Sequence, residues 1–397
     1  MQIAVLRTSP RCGIDRPKHC HMSNTSNPTR SYLYVFVAFL SLAAQSTTAD
    51  AQTLSGEAEF LTNAAGCKFV NPFPDEEFSL EIEWTGECVD GFVSGQGDVT
   101  VVGPRRTVYH GEFEQGEIKA GRVTRNGATY EGGFRRNQPH GKGAFISPNG
   151  DFIKATFVDG KPHGDFVEAQ LHGSRYEGQM NVKTMTMEGK GSLIYPDGST
   201  YEGMFRTNMP NGEGVMKLAS GEVRRGEFLH GELQGKGLIE WSNGTRYEGE
   251  LQGGKPHGQG KFEWPNDALY EGAFAGGLQQ GKGKLVYSNG DTYEGDFLGG
   301  HPHGIGIYRF ISGDVYEGAY VSGQRHGQGR MTYQSGNVSE GEWKQGDLHG
   351  KCRFESQNDT YEGECISGQY FGYGRLEQRA RGEVYEGEFR DGYYDGN

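Results

Sequence analysis

The sequence predicts an all-β chain built of about fourteen tandem β-hairpins, and three observations lead there. Glycine supplies 66 of the 397 residues, more than twice its ordinary share of about 7%, while apolar and aromatic residues together reach only 34%. A thick aliphatic core is thereby ruled out, because glycine buries no side chain and gives up the most backbone entropy on folding. The segment Tyr-Glu-Gly recurs at intervals that signal an array of small units instead of two or three globular domains. Inside each unit, aromatic or small residues alternate with acidic ones, which is the period of a strand and not of a helix.

Residues 1–51 stand apart from that array. Tyr32 to Ala44 is a short apolar run preceded by Arg30 and followed by Ala49-Asp50-Ala51, the pattern of a secretory signal peptide cut after Ala51. It is too short to cross about 30 Å of hydrocarbon. Met22 offers a second start, and an uncleaved signal anchor is the alternative. Removing residues 1–51 takes away five basic and two acidic residues and moves the net charge from −13 to −16. Such an excess opposes nucleic-acid backbones and anionic lipid surfaces. The expected location is periplasmic or secreted. Residues 52–80 read as a divergent N-terminal cap and residues 81–397 as the array.

Intact units begin at Tyr130, Tyr176, Tyr201, Tyr247, Tyr270, Tyr293, Tyr316, Tyr361 and Tyr385. Degenerate ones begin at Trp84, Tyr109, Ile153, Arg224 and Ser339, so that successive starts lie 21 to 25 residues apart. Pro196-Asp197-Gly198, Ser242-Asn243-Gly244, Ser288-Asn289-Gly290 and Pro148-Asn149-Gly150 have the chemistry of a three-residue hairpin loop with glycine in the left-handed position. If Pro196-Asp197-Gly198 is the loop, Tyr195 faces Ser199, Leu193 faces Tyr201, Gly191 faces Gly203 and Gly189 faces Phe205. Bare glycines leave room for Tyr and Phe rings to lie across the backbone. Glu202 then falls opposite Ser192, with Lys190 diagonal to it, a carboxylate–lysine arrangement contributing about 0.2–1 kcal/mol.

The pattern Tyr-x-Gly-x-Phe/Trp-x-x-Gly-x-x-x-Gly-x-Gly, repeating about every 23 residues, resembles the membrane occupation and recognition nexus (MORN) repeat over about three quarters of the chain. The resemblance implies an elongated, twisted, single-layer antiparallel sheet, a β-solenoid-like ribbon suited to scaffolding and self-association. Two departures mark units expected to pack differently: Phe166 stands where Gly164 needs its partner glycine, and Cys352 replaces the second glycine after Gly350. Fourteen hairpins make about 28 strands, and at about 4.8 Å each the ribbon is roughly 130 Å long, with exposed strand edges at both ends. The last unit holds only its first strand before Asn397, so edge pairing into a homo-oligomer is expected.

No catalytic constellation emerges. His140, His163, His257, His303, His326 and His349 occupy one column, but neighbouring units lie about 9.6 Å apart, whereas zinc needs donors at about 2.0–2.1 Å from one ion. A turn role, with the ring covering glycine backbone, is the expectation. Cys12, His19, Cys20 and His21 cluster upstream of the signal. Gly281-Lys282-Gly283 opens no helix and so makes no phosphate loop. No cofactor, metal or nucleic acid is expected. Four cysteines follow the signal, and an even number in an exported protein fits two disulfides. Cys352 and Cys365 share one sheet face, directly opposite or diagonal, while Cys67 and Cys88 flank Pro72 and Pro74 in the cap. Buried free thiols are the alternative.

The expected function is a non-enzymatic, exported scaffold that contacts a protein or envelope-surface partner. Lipid binding, which the family name suggests, is the alternative, and the acidic charge disfavours it. An accessory role beside a catalytic domain is the third reading. No stretch outside the repeats exceeds about 30 residues after the signal, too few for such a domain.

Overall fold

The computed structural model describes residues 60–72, 80–103, 105–181 and 183–395. The expected signal peptide and parts of the expected cap lie outside them. The described residues form 31 strands and no helix. From Phe92–Val102 to Tyr393–Tyr394, each strand pairs antiparallel with its neighbours in chain order, giving one long open sheet.

The expected register is found residue by residue, with Leu193 opposite Tyr201, Gly191 opposite Gly203 and Gly189 opposite Phe205. The loop is the expected one. Tyr195 N donates to Ser199 O at 2.8 Å, Gly198 N donates to Tyr195 O at 3.0 Å, and Gly198 sits at φ +85°. Asp197 Oδ1 accepts from Ser199 N at 2.9 Å and fixes the bend locally.

A second turn type was not read from the sequence. Between the two strands of a unit, Leu298 faces His301, and Gly299 and Gly300 take φ +58° and +88°. Two successive left-handed residues make the tight turn whose twist matches that of the flanking strands. Thr207-Asn208 and Ser322-Gly323 do the same work elsewhere, so no single residue pair announces the turn. Each such turn is tied to the preceding one: Gly277 N donates to Pro256 O at 2.9 Å and Gly323 N to Pro302 O at 2.8 Å.

One face holds the core. After Gly203 the register shifts, because Gly203 faces Gly214 while Phe205 faces Pro210, and the extra residues form a bulge. The Tyr201 ring crosses the glycine pair and its hydroxyl donates to Met204 O at the bulge, at 3.0 Å. A Cβ on Gly203 would lie 2.6 Å from that hydroxyl. Tyr176, Tyr247, Tyr270, Tyr293, Tyr316, Tyr361 and Tyr385 repeat the contact with the carbonyl three residues on. Phe205 meets Tyr201 edge-on at 5.0 Å and Tyr176 at 5.4 Å, so rings of successive units interlock in a T-shaped ladder.

The N-terminal segment lies against the turn edge of the first units. Val70 N donates to Gly116 O at 2.9 Å, and Asn137 Nδ2 donates to Val70 O at 2.6 Å. Phe69 is fully buried, with its ring 5.4 Å from Tyr109.

Both departures from the repeat pattern change the packing. At Phe166 the bulge is larger, since Lys154 faces Glu168 but Thr156 faces His163, and the Phe166 side chain stands 62% exposed on the polar face. The ion pair expected between Lys190 and Glu202 does not form. Ion pairs form elsewhere between residues directly opposite, as in Lys282–Asp296 at 2.8 Å and Lys154–Glu168 at 3.1 Å, diagonally in Arg175–Glu168 at 3.2 Å, and two residues apart on one strand in Arg246–Glu248 at 2.6 Å.

The ring-over-glycine joint yields a prediction. A Cβ on Gly191 would lie 2.6 Å from the Tyr176 hydroxyl and 2.7 Å from its ring, so Gly191→Ala should cost about 1–3 kcal/mol. In a Tyr176→Ala background the same substitution should cost less than about 0.5 kcal/mol. Denaturant unfolding of the four proteins of this cycle measures the coupling, and equal costs in both backgrounds would refute the joint.

Candidate interaction surface

Alternation sends the two faces of each strand to different tasks. Tyr and Phe point into the ladder, so the Glu of Tyr-Glu-Gly points out. On that outer face Glu248, Lys261, Glu271, Lys284 and Glu294 stand successively opposite one another. After Ile307 the order resumes through Glu317, Arg330, Glu340, Arg353, Glu362, Arg375 and Glu386. The result is a row of alternating charge along the ribbon, each carboxylate flanked by a cation at strand spacing. Nearer the N-terminus, beside the outward Phe166, a groove of about 950 Å³ opens among Lys190, Ser192, Glu202, Met204 and Val215.

The margin of the core face carries a second periodic feature. Tyr195, Leu218, Trp241, Trp264, Tyr287, Phe310 and Tyr333 each immediately precede a three-residue loop and are half-buried. Trp264 packs 4.7 Å from Phe262, and Phe310 packs 4.5 Å from Tyr308. The loops are tied to one another from here: Asp291 Oδ1 accepts from Ile311 N at 2.8 Å and its other oxygen from the Tyr308 hydroxyl at 2.7 Å. Asp314 repeats this with Gln334 N at 2.8 Å. Burial opposes the Asp291 charge, yet these donors hold its carboxyl below the usual range.

The histidine column does not do what was expected of it. Pro256 and Pro302 turn to the core face, so His257 and His303 project to the other side. Their backbone carbonyls, and not their rings, meet the glycine joint, each 3.4 Å from the hydroxyl of Tyr247 or Tyr293. Among the described residues no group of three or more His, Cys, Asp or Glu is placed to hold a metal ion.

Both disulfides are present. Cys67 and Cys88 lie 5.7 Å apart at Cα and fasten the N-terminal segment to the first unit. Cys352 faces Gly363 and Cys365 faces Gly350, so this bridge is diagonal. Its Cα separation is nevertheless 5.9 Å, because right-handed twist shortens one diagonal below the roughly 7–8 Å of the general case. Ser339 explains why a cysteine can stand there. At Gly329 an added Cβ would strike the Tyr316 hydroxyl, whereas no tyrosine ring crosses the Ser339 unit.

Burial pushes the phenols of Tyr130, Tyr201, Tyr247, Tyr270 and Tyr316 up to about 12 and also raises those of Tyr176 and Tyr293. They stay neutral donors through the physiological range.

An open antiparallel sheet of tandem hairpins, cross-braced by rings and lined outside with alternating charge, defines a repeat protein. The MORN repeat matches ten stretches, residues 130–152, 186–200, 201–223, 225–246, 247–268, 270–292, 293–315, 316–338, 340–360 and 385–397, just over half of the chain. The chain belongs to the MORN repeat family. Alsin of Rattus norvegicus and Alsin of Mus musculus are each 31% identical over 162 residues, which is 36% of this chain and 10% of theirs. The chain thus spans about one tenth of the length of these curated relatives. The SAS-4 TCP domain of Drosophila melanogaster, solved with a proline-rich motif of Ana2, aligns over 39% of this chain and 84% of that one at 11% identity. Its TM-score of 0.26 carries no argument.

Two outcomes follow from this chemistry. The raised phenols contribute stability that is complete below their unfolded value of about 10 and lost as pH climbs towards about 12. Alkaline titration should therefore show the absorbance of the buried phenols rising together with loss of β circular dichroism, after the exposed tyrosines such as Tyr393 have ionised, and ionisation of the buried set with the sheet intact would contradict it. Replacing Cys352 and Cys365 together with Ser should leave the sheet formed but lower the stability of the C-terminal units by about 3 kcal/mol, read as faster limited proteolysis there.

Proposed function

We propose that this chain is an exported, non-enzymatic scaffold that binds protein surfaces and associates with copies of itself. The observation that carries the reading is the stripe of half-buried aromatic residues from Trp241 to Tyr333, repeating every 23 residues along one margin. Large rings that pack on one side and meet water on the other are what protein interfaces favour at their anchors. The row of alternating charge supports it, since such a row selects complementary partners by register and attracts neither polyanions nor polycations at long range. Two disulfides fit an oxidising compartment. Among the described residues the outer side of Glu383–Arg390 is paired only near its end, with Tyr393, Tyr394 and Asp395 N, and the rest of that edge offers backbone groups to a second copy.

Sedimentation of the mature chain tests self-association. Oligomers should appear as concentration rises and should diminish when Tyr393 and Tyr394, 78% and 50% exposed, are both replaced by Lys. A monomer at all concentrations would overturn that part of the proposal. Vesicles of anionic phospholipid in about 0.15 M salt, where the Debye length is about 8 Å, should leave the chain in the supernatant. Strong co-sedimentation would put lipid recognition first.

A further inference from the structure

The unit that begins at Ser339 keeps a space that its sister units fill. We infer that this space is a binding site for a phenolic ring, the side chain of a tyrosine on a protein partner.

In the units of Tyr293 and Tyr316 the ring crosses the glycine pair and its hydroxyl donates to Asp296 O at 3.0 Å or Ala319 O at 3.2 Å. Ser339 carries no ring, and the three atoms nearest an added Cβ on Gly341 are backbone atoms of Lys351 and Cys352. The unit of Arg224 has also lost its tyrosine, but there Leu233 stands over Gly226, and Leu233 and Leu251 together over Gly237. At Ser339 the equivalent leucine, Leu348, is buried and lines the space, but it is not among the three atoms nearest an added Cβ on Gly341. What remains beside the disulfide is a cavity of about 190 Å³, lined by Ser339, Tyr333, Trp343, Phe354, Tyr370 and the Cys352–Cys365 bridge. An engineered protein cavity of about 150 Å³ accepts benzene, so one ring fits here with the bridge in place.

The lining states which ring. Trp343, Phe354 and Tyr370 offer faces and edges for the offset or T-shaped contacts that rings prefer. Ser339 is 8% exposed, and among the described residues its hydroxyl has only the Tyr333 hydroxyl as partner, at 3.5 Å, well beyond the roughly 2.7–2.8 Å of a good O–H···O bond. A phenolic hydroxyl placed at that end satisfies both. The Arg325 guanidinium lies 4.5 Å from the Trp343 ring and forms part of the rim through which a ligand reaches the cavity from solvent.

The inference rests on the scaffold reading for its partner but is tested without one. The full mature chain, oxidised and labelled with 5-fluorotryptophan, gives one fluorine resonance for each of its four tryptophans, with Trp343 assigned through Trp343→Phe. N-acetyl-L-tyrosinamide should shift the Trp343 resonance saturably and leave Trp241 and Trp264 in place. N-acetyl-L-phenylalaninamide should bind about five-fold more weakly, the factor for one net hydrogen bond, and N-acetyl-L-leucinamide should give no saturable shift. Ser339→Ala should keep ring binding and narrow the five-fold difference, leaving the Tyr333 hydroxyl as the remaining partner. The combination Ser339→Tyr, Cys352→Gly and Cys365→Phe restores the common pattern of the repeat and should remove the response by at least ten-fold with β circular dichroism unchanged. If that variant fails to fold, the Ser339→Ala result decides. No saturable shift at Trp343, an equal shift at Trp241 and Trp264, or an unchanged preference in Ser339→Ala overturns the site. A chain that binds the probe yet never self-associates would retain this site and lose the scaffold's self-association, so the two failures are distinct.

Discussion

The structure depends on one contact, a tyrosine ring laid across two facing glycines. It explains the composition. Gly203 and Gly214 are bare because the Tyr201 ring occupies the place of their side chains, and the hydroxyl at its tip satisfies a carbonyl at the bulge just beyond. A single-layer sheet has no second sheet to close its core, so the apolar burial of each strand must come from side chains lying flat along it. Phenylalanines then wedge between tyrosines of successive units, which makes each unit's core the wall of the next.

The same contact sorts the exceptions. Where Tyr is lost at Arg224, leucines from neighbouring strands cover the glycines. Where it is lost at Ser339, a cysteine can enter the second glycine position and a covalent bridge replaces the ring as the brace between strands. Because the rings pack on one face, the other face is free to carry charge, and from Glu248 to Glu386 it carries it in alternating order broken at Ile307. An architecture of this kind offers periodic surfaces along both faces of the sheet.

Much of this was legible in the chain alone. The 23-residue recurrence of Tyr-Glu-Gly fixed the unit, Pro196-Asp197-Gly198 fixed the loop, and the loop fixed the register down to Gly189 opposite Phe205. These are local matters: a left-handed glycine sets a turn, and period-two alternation then assigns every side chain to a face. The tight turns at Thr207-Asn208 and Ser322-Gly323 were not legible, since their residues vary and only the backbone angles repeat.

What the sequence could not decide depended on twist and on distances between strands far apart in the chain. It left Cys352 and Cys365 either opposite or diagonal, and the twist of the assembled sheet chose the diagonal while keeping it short enough to bridge. It proposed histidine rings over glycine, and the bulge turned those rings outward and left the place to tyrosine. It placed Lys190 beside Glu202, but in the assembled sheet charges pair elsewhere, straight across as in Lys282–Asp296 or along one strand as in Arg246–Glu248. The sequence by itself determined the unit, its register and its two faces, because these follow from periodicity. The tertiary structure alone decided which rings, bridges and charges meet, because that depends on how each strand is bulged and twisted against the next.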